Sequence, residues 1–157
     1  MRFPLRLPVA LLLSLLAMPA SAQERETPYW ATLRSDEVNM RAGPSEDYQI
    51  SWVYRRAGLP LKVVRLRQGW RLVRDPDGVQ GWIVARLLSP DRGALVIGKG
   101  LAAIRDAPAD NGKLLWNAES GVVGKLGDCE TGWCEFDAGG GRKGWIQQAR
   151  LWGAGAP

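Results

Sequence analysis

The chain has 157 residues, with 21 basic and 16 acidic side chains, no histidine and a net charge of +5 at pH 7. The lack of histidine excludes Ser-His-Asp and Cys-His catalytic arrangements. The mildly basic balance is not the signature of a nucleic-acid-binding protein.

The first 22 residues have the pattern of a secretory signal peptide. Arg2 and Arg6 precede the apolar run Val9–Ala17, and an Ala-Ser-Ala cleavage site follows at residues 20–22. The run is too short to cross a bilayer as a mature helix, although a retained membrane anchor is the alternative. We therefore expect cleavage after Ala22, a periplasmic or secreted protein, and no transmembrane segment in the mature chain.

From residue 29 onward the sequence predicts short strands and no helix. Runs rich in Val, Ile, Leu and Trp alternate with turns that contain Gly or Pro, and no segment has capped, helical apolar spacing. The predicted fold class is therefore all-β, in small barrels or sandwiches. The predicted strands are Glu37–Arg41, Ile50–Arg55, Leu61–Arg67, Trp70–Arg74 and Gln80–Val84, then Leu95–Ile97, Ala102–Arg105, Lys113–Asn117, Val122–Cys129, Trp133–Asp137 and Gly144–Gln147.

The two halves of the chain repeat each other. Residues spread over more than 45 positions recur in the same order, 63 or 64 residues later. The matching pairs are Arg41 and Arg105, Pro44 and Pro108, Trp52 and Trp116, Trp70 and Trp133, and Gly81-Trp82 and Gly144-Trp145. A fixed period indicates tandem modules. We predict domains at residues 29–89 and 93–152 that pack against each other, followed by a tail from Gly153 that frays.

The only two cysteines, Cys129 and Cys134, flank a four-residue gap that indicates a hairpin loop. Paired positions of a hairpin bring Cβ atoms close to disulfide geometry, which favours a structural disulfide. A redox-active or metal-binding pair is the alternative. A redox motif normally has two intervening residues, and zinc needs about four ligands. We expect no metal and no cofactor.

Ordered motifs in both halves resemble the bacterial SH3 family. The matching segments are Val38–Ser45, Gly69–Val73 and Gly81–Ile83 in the first half, and Ile104–Pro108, Gly132–Cys134 and Gly144–Ile146 in the second. Each motif alone is weak, but the ordered set covers nearly all of the chain after residue 22. The resemblance, which includes the paired cysteines of a tandem secreted subgroup, implies two small, strongly bent SH3-like β-barrels.

The resemblance also implies a binding role. Many relatives are targeting modules of cell-wall hydrolases, and others are free-standing envelope proteins. We expect a non-catalytic protein that contacts peptidoglycan or its stem peptides. The alternative is a protein–protein adaptor of the cell envelope without wall affinity. A hydrolase with a pair of carboxylates is the least expected function, because the acidic residues lie mostly in loops.

The candidate ligand-binding residues are placed by the family's loop around residues 42–49. Glu46 and Asp47 could take an ammonium group of a stem peptide, and Tyr48, Tyr54 and Trp70 could line one aromatic groove. The second copy of this loop lacks the equivalent glycine and aromatic residue. We therefore expect the first module to be the functional one.

Two further groups of residues carry structural expectations. Trp82 and Trp145 are predicted to anchor the two cores, and Arg41 is predicted to bond either carbonyls of its neighbouring loop or a carboxylate rather than a ligand. The arginines at positions 65, 67, 71 and 74 are interpreted as a solvated face. The alternative interpretation is contact with anionic envelope material.

Overall fold

The computed structural model describes residues 25–157, so the predicted signal peptide at residues 1–22 and its cleavage site lie outside the described residues. Within this range the chain forms two seven-stranded antiparallel sheets, one after the other along the sequence. The predicted all-β class, with two tandem modules, is confirmed. No helix in this part of the chain is long and apolar enough to cross a membrane.

The first module contains seven strands in the spatial order β3-β2-β6-β5-β4-β1-β7. The strands are β1 (Tyr29–Leu33), β2 (Val38–Arg41), β3 (Ile50–Tyr54), β4 (Pro60–Arg67), β5 (Trp70–Arg74), β6 (Gln80–Val84) and β7 (Leu88–Ser89), with a 3-10 turn at Ala85–Leu87 before β7. β1 was not predicted from the sequence. Three of its five consecutive residues are buried, so it lacks the alternation that marks a half-buried strand.

The second module repeats this topology in the order β10-β9-β13-β12-β11-β8-β14. Its strands are β8 (Gly93–Val96), β9 (Ala102–Arg105), β10 (Leu114–Ala118), β11 (Val123–Glu130), β12 (Trp133–Asp137), β13 (Lys143–Gln147) and β14 (Leu151–Trp152), with a 3-10 turn at Gln148–Arg150. The equal strand order of the two sheets confirms the tandem repeat read from the sequence.

Each module has its own apolar core. Alternate residues of the strands face inward, and the members are branched aliphatic side chains with few aromatic ones. The fully buried members include Leu33, Val38, Met40, Leu61, Val63, Val73 and Ile83 in the first module, and Val96, Ile104, Phe136 and Ile146 in the second.

The expectation that Trp82 and Trp145 anchor the cores was wrong. Both indoles are half-buried, whereas the next residues, Ile83 and Ile146, are fully buried. Successive residues of a strand point to opposite faces, so once the isoleucine takes the inward position the tryptophan must lie on the outer face.

The two modules pack against each other at a seam near the chain's end. The Trp152 indole N–H donates to the carbonyl of Pro60 at 3.0 Å, and the ring meets Trp30 edge-on, with centroids 4.9 Å apart. The Trp30 indole in turn donates to the carbonyl of Gly155 at 3.0 Å. The expectation of a fraying tail was therefore wrong, because the tail is bonded to the first module.

The hairpin β11–β12 carries the predicted disulfide. Cys129 and Cys134 are register partners with Cα atoms 4.0 Å apart, and their sulfurs are bonded at 2.05 Å. Cys134 is fully buried in the second core. The prediction of a structural disulfide is confirmed.

A buried polar pair links β3 to the turn after β5. Tyr54 is 6% exposed and its hydroxyl donates to Asp75 Oδ2 at 3.1 Å. The other oxygen of Asp75 accepts the backbone N–H groups of Asp77 and Val79 at 3.0 and 2.9 Å. Desolvation by burial raises the pKa of Tyr54 well above its usual value, and the charge of Asp75 raises it further.

Tyr54→Phe should lower the free energy of unfolding at pH 7 by roughly 1–3 kcal/mol, because the buried carboxylate loses a donor. The wild-type stability should also fall above pH ~10, where the unfolded tyrosine ionises and the folded one does not. Tyr54→Phe should flatten that alkaline decline. Urea unfolding at pH 7 to 11 measures both effects, with the exposed Tyr48→Phe as the control. Equal alkaline declines in wild type and Tyr54→Phe would contradict this role.

Reduction of the Cys129–Cys134 disulfide should lower the free energy of unfolding by about 2 kcal/mol, as expected from loop entropy for so small a ring. The measurement is chemical unfolding with and without a reductant. The double variant Cys129→Ala/Cys134→Ala is the control, and a reductant should not affect its stability. If reduction leaves wild-type stability unchanged, the bond contributes nothing to the fold.

Candidate functional site

The loop between β2 and β3, residues 42–49, is held by the last residue of β2. The guanidinium of Arg41 donates to the carbonyls of Glu46 at 3.0 Å and Tyr48 at 2.7 Å. Of the two partners predicted for Arg41, loop carbonyls or a carboxylate, the structure shows the carbonyls. A backbone bond from Ala42 to Gln49 at 3.1 Å closes the base of the loop.

Two local contacts order the inside of this loop. A Cβ atom at Gly43 would lie 2.5 Å from the ring of Tyr48, so the ring packs directly on the glycine backbone. The Ser45 hydroxyl bonds the Asp47 carboxylate at 2.8 Å and accepts the Asp47 N–H at 3.2 Å. The loop thus presents its aromatic ring and its acidic side chains from a fixed backbone.

The loop and β3 expose the large apolar side chains of the first module's edge. Tyr48 is 49% exposed, Ile50 46% and Trp52 57%. β3 ends the strand order of its sheet, so its outer backbone edge is also unpaired within the sheet. Ile50 and Trp52 were not among the sequence candidates. The sequence showed Trp52 only as one of the repeated residues. A bulge lies between the register pairs Met40–Trp52 and Arg41–Ile50, and it breaks the alternation from which the exposed side of the strand could have been predicted.

The predicted aromatic groove of Tyr48, Tyr54 and Trp70 is not formed. Tyr54 is a core residue that is bonded to Asp75, because the last residue of β3 faces inward opposite the buried Val38. Trp70 begins β5, three strands from β3 in the sheet order, which is about 14 Å at the usual strand spacing. The structure brings Glu46, Asp47 and Tyr48 together in one loop, and leaves Trp70 half-buried elsewhere on the outer face.

The second module has a surface groove of about 520 Å³ that the sequence analysis missed. Its walls include Trp145, Glu135, Asp137 and Asp106, together with Lys125 and Lys143. Glu135 folds over Gly127, where a Cβ atom would lie 2.7 Å from the carboxylate oxygen. A glycine inside a strand signals such a close approach and could have indicated the groove from the sequence.

In residues 25–157, no group of three or more His, Cys, Asp or Glu side chains is placed to hold a metal ion. Both cysteines are in the disulfide. The surface of the described residues has exposed aromatic and apolar area beside carboxylates, and this combination is suited to binding.

One family model matches both modules of the chain. The family described as "Bacterial SH3 domain" matches twice, at residues 34–90 and 98–153. No curated protein matches the sequence. The solved structures that resemble the chain include an NlpC/P60 family protein from Bacillus cereus ATCC 10987, at 12% identity and a TM-score of 0.35. The match covers 78% of this chain and 55% of that protein.

The two matches together cover most of the chain and correspond to the two sheets described above. Domains of this kind are typically binding domains, and commonly bind the cell wall. The chain belongs to the bacterial SH3 domain family, of which it carries two tandem copies.

Proposed function

We propose that this protein is a non-catalytic binding protein of the cell envelope that contacts peptidoglycan through the loop 42–49 and strand β3. The observation that carries the proposal is the exposed set Tyr48, Ile50 and Trp52 on a backbone that Arg41 fixes. A preorganised loop loses little conformational entropy on binding, so more of the free energy gained by burying its exposed apolar area appears as affinity.

The chemistry of this edge suits a polymer with both apolar faces and amino groups. Aromatic rings pack against sugar faces or an extended peptide, and the carboxylates of Glu46 and Asp47 attract an ammonium group. Arg41 donates only to backbone carbonyls in this loop and forms no ion pair with either acid. In the described residues the single ion pair joins Arg55 and Glu37, so neither loop carboxylate is paired with a cationic side chain.

The proposed location is the periplasm or the cell exterior. Disulfides persist in oxidising compartments, and the bond between Cys129 and Cys134 would be reduced in a cytosol. The signal-peptide pattern of residues 1–22 gives the same location. The lack of histidine and of a free thiol supports a role without catalysis.

A protein adaptor of the envelope is the second candidate function. Strands β3 and β10 both end their sheets, and β10 exposes Leu114 and Leu115, each 47% accessible. An unpaired edge with apolar side chains can accept an extended peptide as an added strand. Sedimentation with purified sacculi separates the two candidates, because an adaptor without wall affinity stays in the supernatant.

Tyr48→Ala/Trp52→Ala should lower the affinity for purified sacculi by about 10-fold or more, because two exposed aromatic contacts are lost. Saturation binding by co-sedimentation gives the affinity. The matched control is Leu114→Ala/Leu115→Ala, which removes exposed apolar area from the equivalent edge of the second module. Equal binding by wild type and the folded Tyr48/Trp52 variant would remove this surface from the proposal.

Blocking the amino groups of the wall should weaken binding, because Glu46 and Asp47 then lose their cationic partner. We expect acetylated sacculi to bind the wild type several-fold more weakly than untreated sacculi, and more NaCl to weaken binding to untreated sacculi. Glu46→Gln/Asp47→Asn should bind both preparations equally. If acetylation weakens the binding of this variant as much as that of the wild type, the carboxylates do not recognise the ammonium.

A further inference from the structure

The hairpins β4–β5 and β11–β12 are the same element in the two modules, 63 residues apart. The register pairs of the first, such as Lys62 with Arg74 and Arg67 with Trp70, recur in the second as Lys125 with Asp137 and Glu130 with Trp133. The two hairpins therefore present equivalent positions on equivalent outer faces.

The charge of this face is reversed between the modules. Residues 60–74 place four basic and no acidic side chains on this face, because the fifth, Arg71, lies on the side of Val73 and bonds the Tyr29 hydroxyl. Residues 123–137 contain four acidic side chains and one lysine. The substitutions at equivalent positions are Arg65 by Asp128, Arg67 by Glu130, Leu72 by Glu135 and Arg74 by Asp137. The barrel does not require these charges, because the buried partners Val63 and Val73 point to the opposite face.

Neither face is neutralised within the described chain. Arg65, Arg67, Asp128 and Glu130 are exposed, and the only ion pair of residues 25–157 lies elsewhere, between Arg55 and Glu37. The basic hairpin even places Lys62 directly opposite Arg74, an arrangement that repulsion destabilises. An anionic surface laid on this hairpin relieves that repulsion.

The acidic face also has a shape that suits arginine. Its groove of about 520 Å³ has Trp145 as an aromatic wall, with Glu135 opposite it in the strand register. A guanidinium group can stack on an indole and bond a carboxylate through its planar fork. Lys125 and Lys143 are both register partners of Asp137 and offset its charge. The net attraction for a cationic side chain therefore comes from Asp128, Glu130 and Glu135.

We propose that this protein self-associates, with the basic β4–β5 hairpin of one copy docked on the acidic β11–β12 hairpin of a second copy. The partner is a second copy because the chain itself carries both complementary faces on one repeated element. The interface joins unlike patches, so it either closes reciprocally into a dimer or extends into a chain. This association is independent of wall binding through the loop 42–49.

Sedimentation velocity of the full chain, at 50 mM and 500 mM NaCl and over a range of concentrations, tests the proposal. We expect a mass of at least two copies at low salt, and dissociation at high salt because ions screen exposed charges. A monomer at every concentration in 50 mM NaCl would overturn the proposal, whatever anionic polymer the basic hairpin binds in other assays.

Charge reversal identifies the interface. Arg65→Glu/Arg67→Glu, and separately Asp128→Lys/Glu130→Lys, should each raise the dissociation constant of self-association by ~10-fold or more. An equimolar mixture of the two variants should associate again, because one supplies the unaltered acidic hairpin and the other the unaltered basic hairpin.

The matched control for Arg65→Glu/Arg67→Glu is Arg55→Glu/Lys113→Glu, which makes the same change in net charge at exposed sites outside both hairpins and outside the strands paired with them. This control should retain wild-type association. Either hairpin variant associating as strongly as the wild type, or a mixture that stays monomeric, would show that the two hairpins do not meet.

Discussion

The contact between the modules at Trp152 is the interaction on which the rest of the structure depends. A unit of about 60 residues buries only about 60% of its unfolded surface and is marginal alone. The Trp152 indole bonds the backbone of the first module and packs on Trp30, which joins the end of one sheet to the start of the other. A Cβ at Gly153 would lie 2.5 Å from the Gly93 carbonyl, so only glycine permits this approach.

Comparison of the two modules distinguishes the residues that the barrel requires from the surface residues that can vary. Both modules retain the Gly-Trp-Ile strand and an arginine that bonds its loop, since Arg105 donates to the Gly112 carbonyl at 2.7 Å as Arg41 does to its own loop. These residues position the backbone. The exposed positions diverge, because an outer face can change charge without disturbing the core. One fold therefore carries two chemically different surfaces.

The ordering of the loop 42–49 links the fold to its proposed role. The Arg41 guanidinium donates hydrogen bonds to two loop carbonyls, and Gly43 leaves space for the Tyr48 ring. In the second module Ala107 and Gly112 stand at the positions of Gly43 and Tyr48, so the equivalent loop has no aromatic ring. The exposed aromatic ring of this loop is therefore present only in the first module, and the second module has a groove walled by Trp145.

The sequence alone determined eleven of the fourteen strands in residues 25–157, the two modules and the disulfide, because alternation, turn residues, the repeat period and cysteine spacing can all be read without knowing any tertiary contact. It misjudged Tyr54, Trp82 and the tail. Their burial depends on which side of a strand faces the core and on contacts between residues 125 positions apart, such as Trp30 with Gly155. Only the tertiary structure decided these points. It also revealed that the two hairpins carry opposite charges on the same face, because only the strand register shows which face of the sheet a charged side chain occupies.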